Sequence, residues 1–237
     1  MGNPATRLHA ILTRAKAVAQ GDKMIDGWRR SLELPADADD LAVMSKVGRV
    51  FALPNIIARE IERFKDLDFD LYLAWRKDLG DAFRQIAFQS HFGQFSARIS
   101  DSLLTTIRFC AHELEKRVPE KEISREQVDE LREAVWKLYD EVLKSDLPPV
   151  LFRYALDHLF LIIEALDSHV ITGATAIEMA LNSVIGSVAT QHEVAKKFSE
   201  TSLGDQFWKT LSRVAITLSL GKFGYELADA AVKALGH

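Results

Sequence analysis

From residue 124 to residue 188 the apolar positions of the chain keep helical register with few interruptions. Val128, Leu131, Val135, Leu138 and Val142 alternate three and four apart, the spacing of a narrow coiled-coil-like seam. Just before it, Ser124-Arg125-Glu126-Gln127 has the form of a capping box, with Ile123 and Val128 placed as a hydrophobic staple. Leu147-Pro148-Pro149 ends that helix. The next, from Val150 on, is very apolar, and Ser145-Asp146 is its expected cap. So short a turn makes the two helices antiparallel neighbours. After Thr172-Gly173 a third helix carries Ile177, Leu181, Val184 and Val188, with Ala174, Ala180, Ser183 and Gly186 nearby to let helix axes approach closely.

The flanks carry the same period. Asn3-Pro4 opens a helix with Leu8, Ile11, Leu12, Ala15 and Val18 on one face, stopped at Gly21. Asp22 is the expected cap of a short continuation carrying Met24, Ile25 and Trp28. After a loop at Leu34-Pro35-Ala36-Asp37, Asp39 or Asp40 caps a helix with Leu41, Met44, Val47 and Phe51 inward. Leu53-Pro54 is expected to break it and start another, with Ile57, Ile61 and Phe64 inward. Residues 65–73 alternate Asp with Leu and Phe as a strand would, but a lone strand has no partner elsewhere. Loop followed by a helix from about Asp70, with Leu71, Trp75 and Leu79, is the preferred reading. Gly80-Asp81 then marks a stop and a new cap, leading a helix with Phe83, Ile86 and Ala87. Gly93 punctuates an aromatic run. From Ser100, Leu103, Ile107, Cys110 and Leu114 share a face that ends before Pro119. In the tail, Phe207, Leu211, Val214 and Leu218 repeat on one face, and a last helix after Gly224 carries Leu227, Ala231 and Leu235.

These patterns predict an all-α protein, a multi-helix bundle of about eight to ten helices centred on the 125–190 helices. Residues 1–237 are expected to form a single domain, with a subdivision near 119 (1–118 and 119–237) as the alternative.

Composition narrows the function classes. Hydrophobic residues make up 48% and charged residues 27%, which excludes a disordered chain, and the net charge of −4 offers no global attraction to nucleic acid. The single cysteine, Cys110, cannot form an intrachain disulfide, which favours a cytoplasmic location. No secretory signal is expected, because the first residues lack an uninterrupted apolar core. The start Met1-Gly2-Asn3-Pro4-Ala5-Thr6 fits a myristoylation pattern but reads more simply as a helix start. No cofactor or metal is expected. None of the seven histidines lies three residues after a Glu, and the acidic run Asp66-Leu67-Asp68-Phe69-Asp70 has Leu71 and Lys77 where a calcium loop needs Gly and Glu.

One spacing points to chemistry. Arg153 and His158 are five residues apart, and Arg153-Tyr-Ala-Leu-Asp-His158 resembles the R-x4-H motif of HEPN-domain ribonucleases. The resemblance covers six residues and implies a metal-independent cleavage of RNA by an Arg and a His. Tyr154 stands where such families often place a polar residue. On a regular helix the two side chains diverge by about 140°, so they would converge only at a bend or across a dimer. Otherwise Arg153, Asp157, Glu164 and Ser168 form a solvent stripe, and His158 packs at the core margin.

The expectation carried forward is a non-catalytic helical interaction or scaffold subunit of a cytoplasmic assembly, binding a protein partner or a second copy of itself. The HEPN-like ribonuclease using Arg153 and His158 is one alternative. A membrane-attached or membrane-active effector is the other, through the amphipathic helices of residues 207–235, although 214–220 is far shorter than a span of ~20 residues.

Overall fold

A computed structural model describes residues 2–120 and 123–218. The protein is an all-α multi-helix bundle; among the described residues there is no strand, only an isolated bridge between Lys23 and His91. The expected helix after Gly224 lies outside the described residues. The chain forms two compact units, Met1–Glu120 and Lys121–His237.

The first unit contains α1 (Pro4–Ala17), α2 (Met24–Ser31), α3 (Asp40–Glu62), α4 (Phe69–Tyr72), α5 (Trp75–Phe83), α6 (Gly93–Ser96) and α7 (Asp101–Arg117). Its core joins Leu8, Ile11, Leu12 and Ala15 of α1 to Leu103, Ile107, Cys110 and Leu114 of α7, all buried. Asn3, Asp39, Asp68 and Ser100 cap α1, α3, α4 and α7 by accepting backbone N–H bonds. An aromatic cluster fills the rest. Trp28 stacks on Phe95 at 4.8 Å between ring centroids and stands edge-on to Phe92 at 5.8 Å.

Several expectations for this unit are corrected. Pro54 does not break the chain: α3 runs unbroken through it. A helix-interior proline costs about 3 kcal/mol. Here Val43, Val47, Val50 and Leu53 before it and Ile57, Ala58 and Ile61 after it are buried along the same helix, and that burial outweighs the lost N–H. The inward face of α3 is consequently Val43, Val47 and Val50, leaving Leu41 74% exposed. Gly80-Asp81 lies inside α5 rather than between two helices. Asp22 does not cap α2; its carboxylate accepts from Arg30 at 2.6 Å and its carbonyl from the Phe92 N–H at 2.8 Å. Residues 65–73 form a loop and then a helical turn, α4, but the single helix expected to carry Leu71, Trp75 and Leu79 is split: Leu71 is exposed on α4, while Trp75 and Leu79 are buried on α5.

The second unit contains α8 (Arg125–Leu143), α9 (Pro149–Asp167), α10 (His169–Thr172), α11 (Ala174–Thr190), α12 (His192–Ser199) and α13 (Ser202–Thr217). Both halves of the capping box are made: Gln127 N–H donates to Ser124 Oγ at 3.2 Å, and Ser124 N–H to Gln127 Oε1 at 3.0 Å. Ile123 and the whole seam from Val128 to Val142 are buried. Facing them are Ala155, Leu159, Ile162, Ile163 and Leu166 of α9, with Ile177, Leu181 and Val184 of α11 and Phe207, Leu211 and Val214 of α13 in the same core.

Two local readings change here. Ser145-Asp146 does not cap α9, which starts on Pro148-Pro149 without a side-chain cap. Ser145 instead closes α8, its hydroxyl donating to the Val142 carbonyl at 2.7 Å. Ser168 is buried rather than on the solvent stripe, because α9 ends at Asp167 and the chain turns there into α10. That turn finishes at Gly173 with φ 70°, a backbone conformation only glycine adopts cheaply. At Gly204 the reason for glycine is different. A Cβ there would lie 2.0 Å from the Phe198 carbonyl oxygen, so the start of α13 can close on the end of α12 only without a side chain.

Candidate functional site

Arg153 and His158 share one uninterrupted helix, α9. The structure does not bring them together. Arg153 is 85% exposed and pairs with Asp157 one turn on, Nε to Oδ2 at 3.5 Å. His158 is 7% exposed, and its Nδ1–H donates to the Tyr154 carbonyl at 2.6 Å. Burial pushes the imidazole below its ordinary pKa, partly offset by that hydrogen bond and by Asp157. His158 is therefore neutral near pH 7, with the Nδ1 proton held on backbone.

The polar groups that do converge were not singled out by sequence spacing. Tyr154, on the same helix, places its phenol 3.0 Å from Ser187 Oγ of α11. Ser187 donates to the Val184 carbonyl at 2.6 Å, so the Tyr154 O–H is the donor between them. The Tyr154 ring lies 4.4 Å from the His158 ring and 5.7 Å from Phe198 of α12. Phe198 meets Phe207 edge-on, and Phe207 meets Trp208 edge-on. Trp208 Nε1 then donates to Ser199 Oγ at 2.7 Å, and Ser199 donates to the Ala195 carbonyl. The result is a buried seam of rings and hydroxyls running through α9, α11, α12 and α13.

As chemistry the seam is closed. A serine nucleophile needs a base within hydrogen-bond reach. Among the described residues the only side-chain partner of Ser187 is a phenol whose pKa burial raises, and the His158 proton is committed elsewhere. Each serine hydroxyl ends on a carbonyl of its own helix, and the Tyr154 phenol ends on Ser187, which satisfies buried polar groups and specifies the packing. The signal that could have found it is the pair of serines, Ser187 and Ser199, on the apolar faces of their helices.

Cys110 is equally closed off. Its thiol donates to the Tyr72 carbonyl at 2.8 Å and accepts from Trp75 Nε1 at 3.3 Å. Burial pushes its pKa up to about 11, against the opposing Trp75 bond, so the thiolate that reactive cysteines need is absent near pH 7. His112, two residues on, is exposed and does not share this environment. No group of three His, Cys, Asp or Glu side chains among the described residues is placed to hold a metal ion.

What remains is surface. Arg132 of α8 and Asp167 of α9 approach to 3.6 Å and pin one flank of that helical hairpin. Stepping along both helices from this pin by turns of three and four brings Trp136, Tyr139 and Leu143 of α8 and Phe160 of α9 to the same flank. Trp136 is 40% exposed, Leu143 47% and Phe160 52%. Trp136 stands edge-on to Tyr139 at 5.3 Å. In the first unit the outer side of α3 also carries apolar side chains, among them Leu41 and Ile56. Among the described residues α3 alone has the length and apolarity of a membrane span, and one face of it is already committed to the core. The residues 207–218 of the membrane alternative contribute Phe207, Leu211, Val214 and Leu218 to the buried core of the second unit.

No protein-family model matches this chain, and no curated protein or solved structure matches it either.

Proposed function

We propose that the chain is a non-catalytic helical interaction subunit of a cytoplasmic assembly, engaging a protein partner or a second copy of itself. The observation that carries this reading is the apolar flank of α8 and α9: two aromatic rings and a leucine, Trp136, Phe160 and Leu143, are left in water beside a fully formed core. Single exposed apolar side chains are ordinary; several on one flank mark a surface that gains by being covered. Aromatic anchors of this kind carry most of the energy in protein interfaces. The closed hydrogen bonding of His158, Ser187 and Cys110 supports the non-catalytic half of the reading, and the free thiol of Cys110 suits a reducing compartment.

The test is affinity capture from cell extract with the wild-type chain and with a Trp136→Glu/Phe160→Glu variant that keeps its helical circular dichroism. A partner or a tagged second copy retained by the wild type and lost by the variant supports the flank as the interface. Identical capture by the two proteins removes it.

A further inference from the structure

The outer face of α8 carries charges as well as exposed rings. Glu133, Lys137, Asp140 and Lys144 are all exposed and fall within about 60° of one another around the helix. Ion pairs along α8 are made by Arg125–Asp129 and Arg132–Asp129, whereas these four side chains have no charged partner among the described residues. Beside the stripe, on the side that Arg132 ties to α9, stand Trp136 and Leu143, within about 20° of one another. A helix packed antiparallel on a copy of itself about a two-fold axis sets each residue against the one equally far beyond the centre. A centre at Tyr139 brings Glu133 to Lys144 of the second copy, Lys137 to its Asp140, and Trp136 to its Leu143. Every one of these pairings is centred within about one residue of Tyr139, and the two-fold axis makes each of them twice. A parallel two-fold pairing would set each charge against itself, which is repulsive throughout.

We infer that the occupant of the α8–α9 flank is a second copy of this chain, with the two α8 helices antiparallel and centred on Tyr139. Leu143 of each copy then sits between Trp136 and Phe160 of the other, and the charged stripe closes the rim with ion pairs. This rests on the interaction reading above and names its partner. The contact runs over about three helical turns, at the small end of specific interfaces, so the dimer forms at micromolar rather than nanomolar concentration. Its exposed ion pairs make it weaker at high salt.

Sedimentation equilibrium of the full chain tests the pairing by charge exchange. Lys137→Glu/Lys144→Glu makes the stripe wholly acidic, and Glu133→Lys/Asp140→Lys makes it wholly basic. Each variant alone should self-associate about a hundredfold more weakly, with helical circular dichroism unchanged, because every rim pair turns from attraction to repulsion. An equimolar mixture of the two should recover the dimer, since every pair then joins opposite charges. Substitutions that had only damaged the fold would not rescue one another. A wild type at the mass of one chain at every concentration, charge variants that associate like the wild type, or a mixture that fails to recover would overturn the inference. If the wild type is a monomer yet captures a different protein through Trp136 and Phe160, this inference alone falls. Association or capture that survives Trp136→Glu/Phe160→Glu brings down the interaction reading with it.

Discussion

Two buried indoles, one in each unit, are treated in opposite ways. Trp28 is fully buried in the aromatic cluster of the first unit, and its Nε1 is the one buried side-chain polar atom among the described residues without a hydrogen-bond partner. Trp208 in the second unit is almost as buried, and its Nε1 is bonded to Ser199 at 2.7 Å. The first cluster is specified by ring shape: Phe92 and Phe95 fix Trp28 through edge and face contacts, and Phe83 stacks on Phe95 in turn. The second core is specified by direction as well, because its hydroxyls and indole N–H must meet particular atoms. Shape alone tolerates volume-conserving replacement, whereas a directed bond lost inside a core leaves a costly orphan.

Five substitutions would break or sharpen that contrast. The largest effect is expected from Gly204→Ala, whose Cβ meets a backbone oxygen that cannot give way; a loss of about 3 kcal/mol in urea unfolding is expected. Ser199→Ala follows, since it strands the Trp208 N–H, at roughly 2 kcal/mol. Trp208→Phe should then cost roughly 1 kcal/mol more than Trp28→Phe, because only the first removes a hydrogen bond along with the same volume. Equal losses for the two tryptophans would dissolve the contrast. The smallest effect is expected from Arg153→Ala, a few tenths of a kcal/mol (about 0.3), as for an exposed i,i+4 pair.

Acid provides an independent probe of the second unit. Burial lowers the pKa of His158 below its ordinary value, so the unfolded chain takes up the proton more readily than the folded one. The contribution of His158 to stability is therefore complete at neutral pH. It is lost as pH falls below about 6.5 and levels off once the folded imidazole is itself protonated. Thermal unfolding from pH 7.5 to 5 should show this decline in the wild type, and His158→Gln should reduce it to the part contributed by His9, whose pKa burial also lowers. A decline of the same size in His158→Gln would assign the effect to other groups.

Sequence reading succeeded wherever a local signal and burial agree. The capping box at Ser124, the cap at Asp39 and the seam from Val128 to Val142 are all formed as their spacing predicts, because each depends on neighbours within one or two turns. It failed where tertiary burial overrode a local rule. Pro54 and Gly80 look like breaks, but both lie inside helices whose buried faces continue past them. Asp22 looks like a cap until Arg30 claims its carboxylate. The spacing of Arg153 and His158 was legible, but its meaning depended on a helix that stays unbroken from Pro149 to Asp167. The Tyr154–Ser187 and Arg7–Glu120 contacts join residues 33 and 113 positions apart, and no local pattern encodes such a distance.

The most direct test of the interaction reading is light scattering across a concentration series, with and without the captured partner. The account predicts a mass above the single chain for the wild type, from self-association or from the complex. It predicts the mass of one chain for Trp136→Glu/Phe160→Glu at the same helicity. A wild type that stays at the mass of one chain throughout, with partner present and absent, would contradict it.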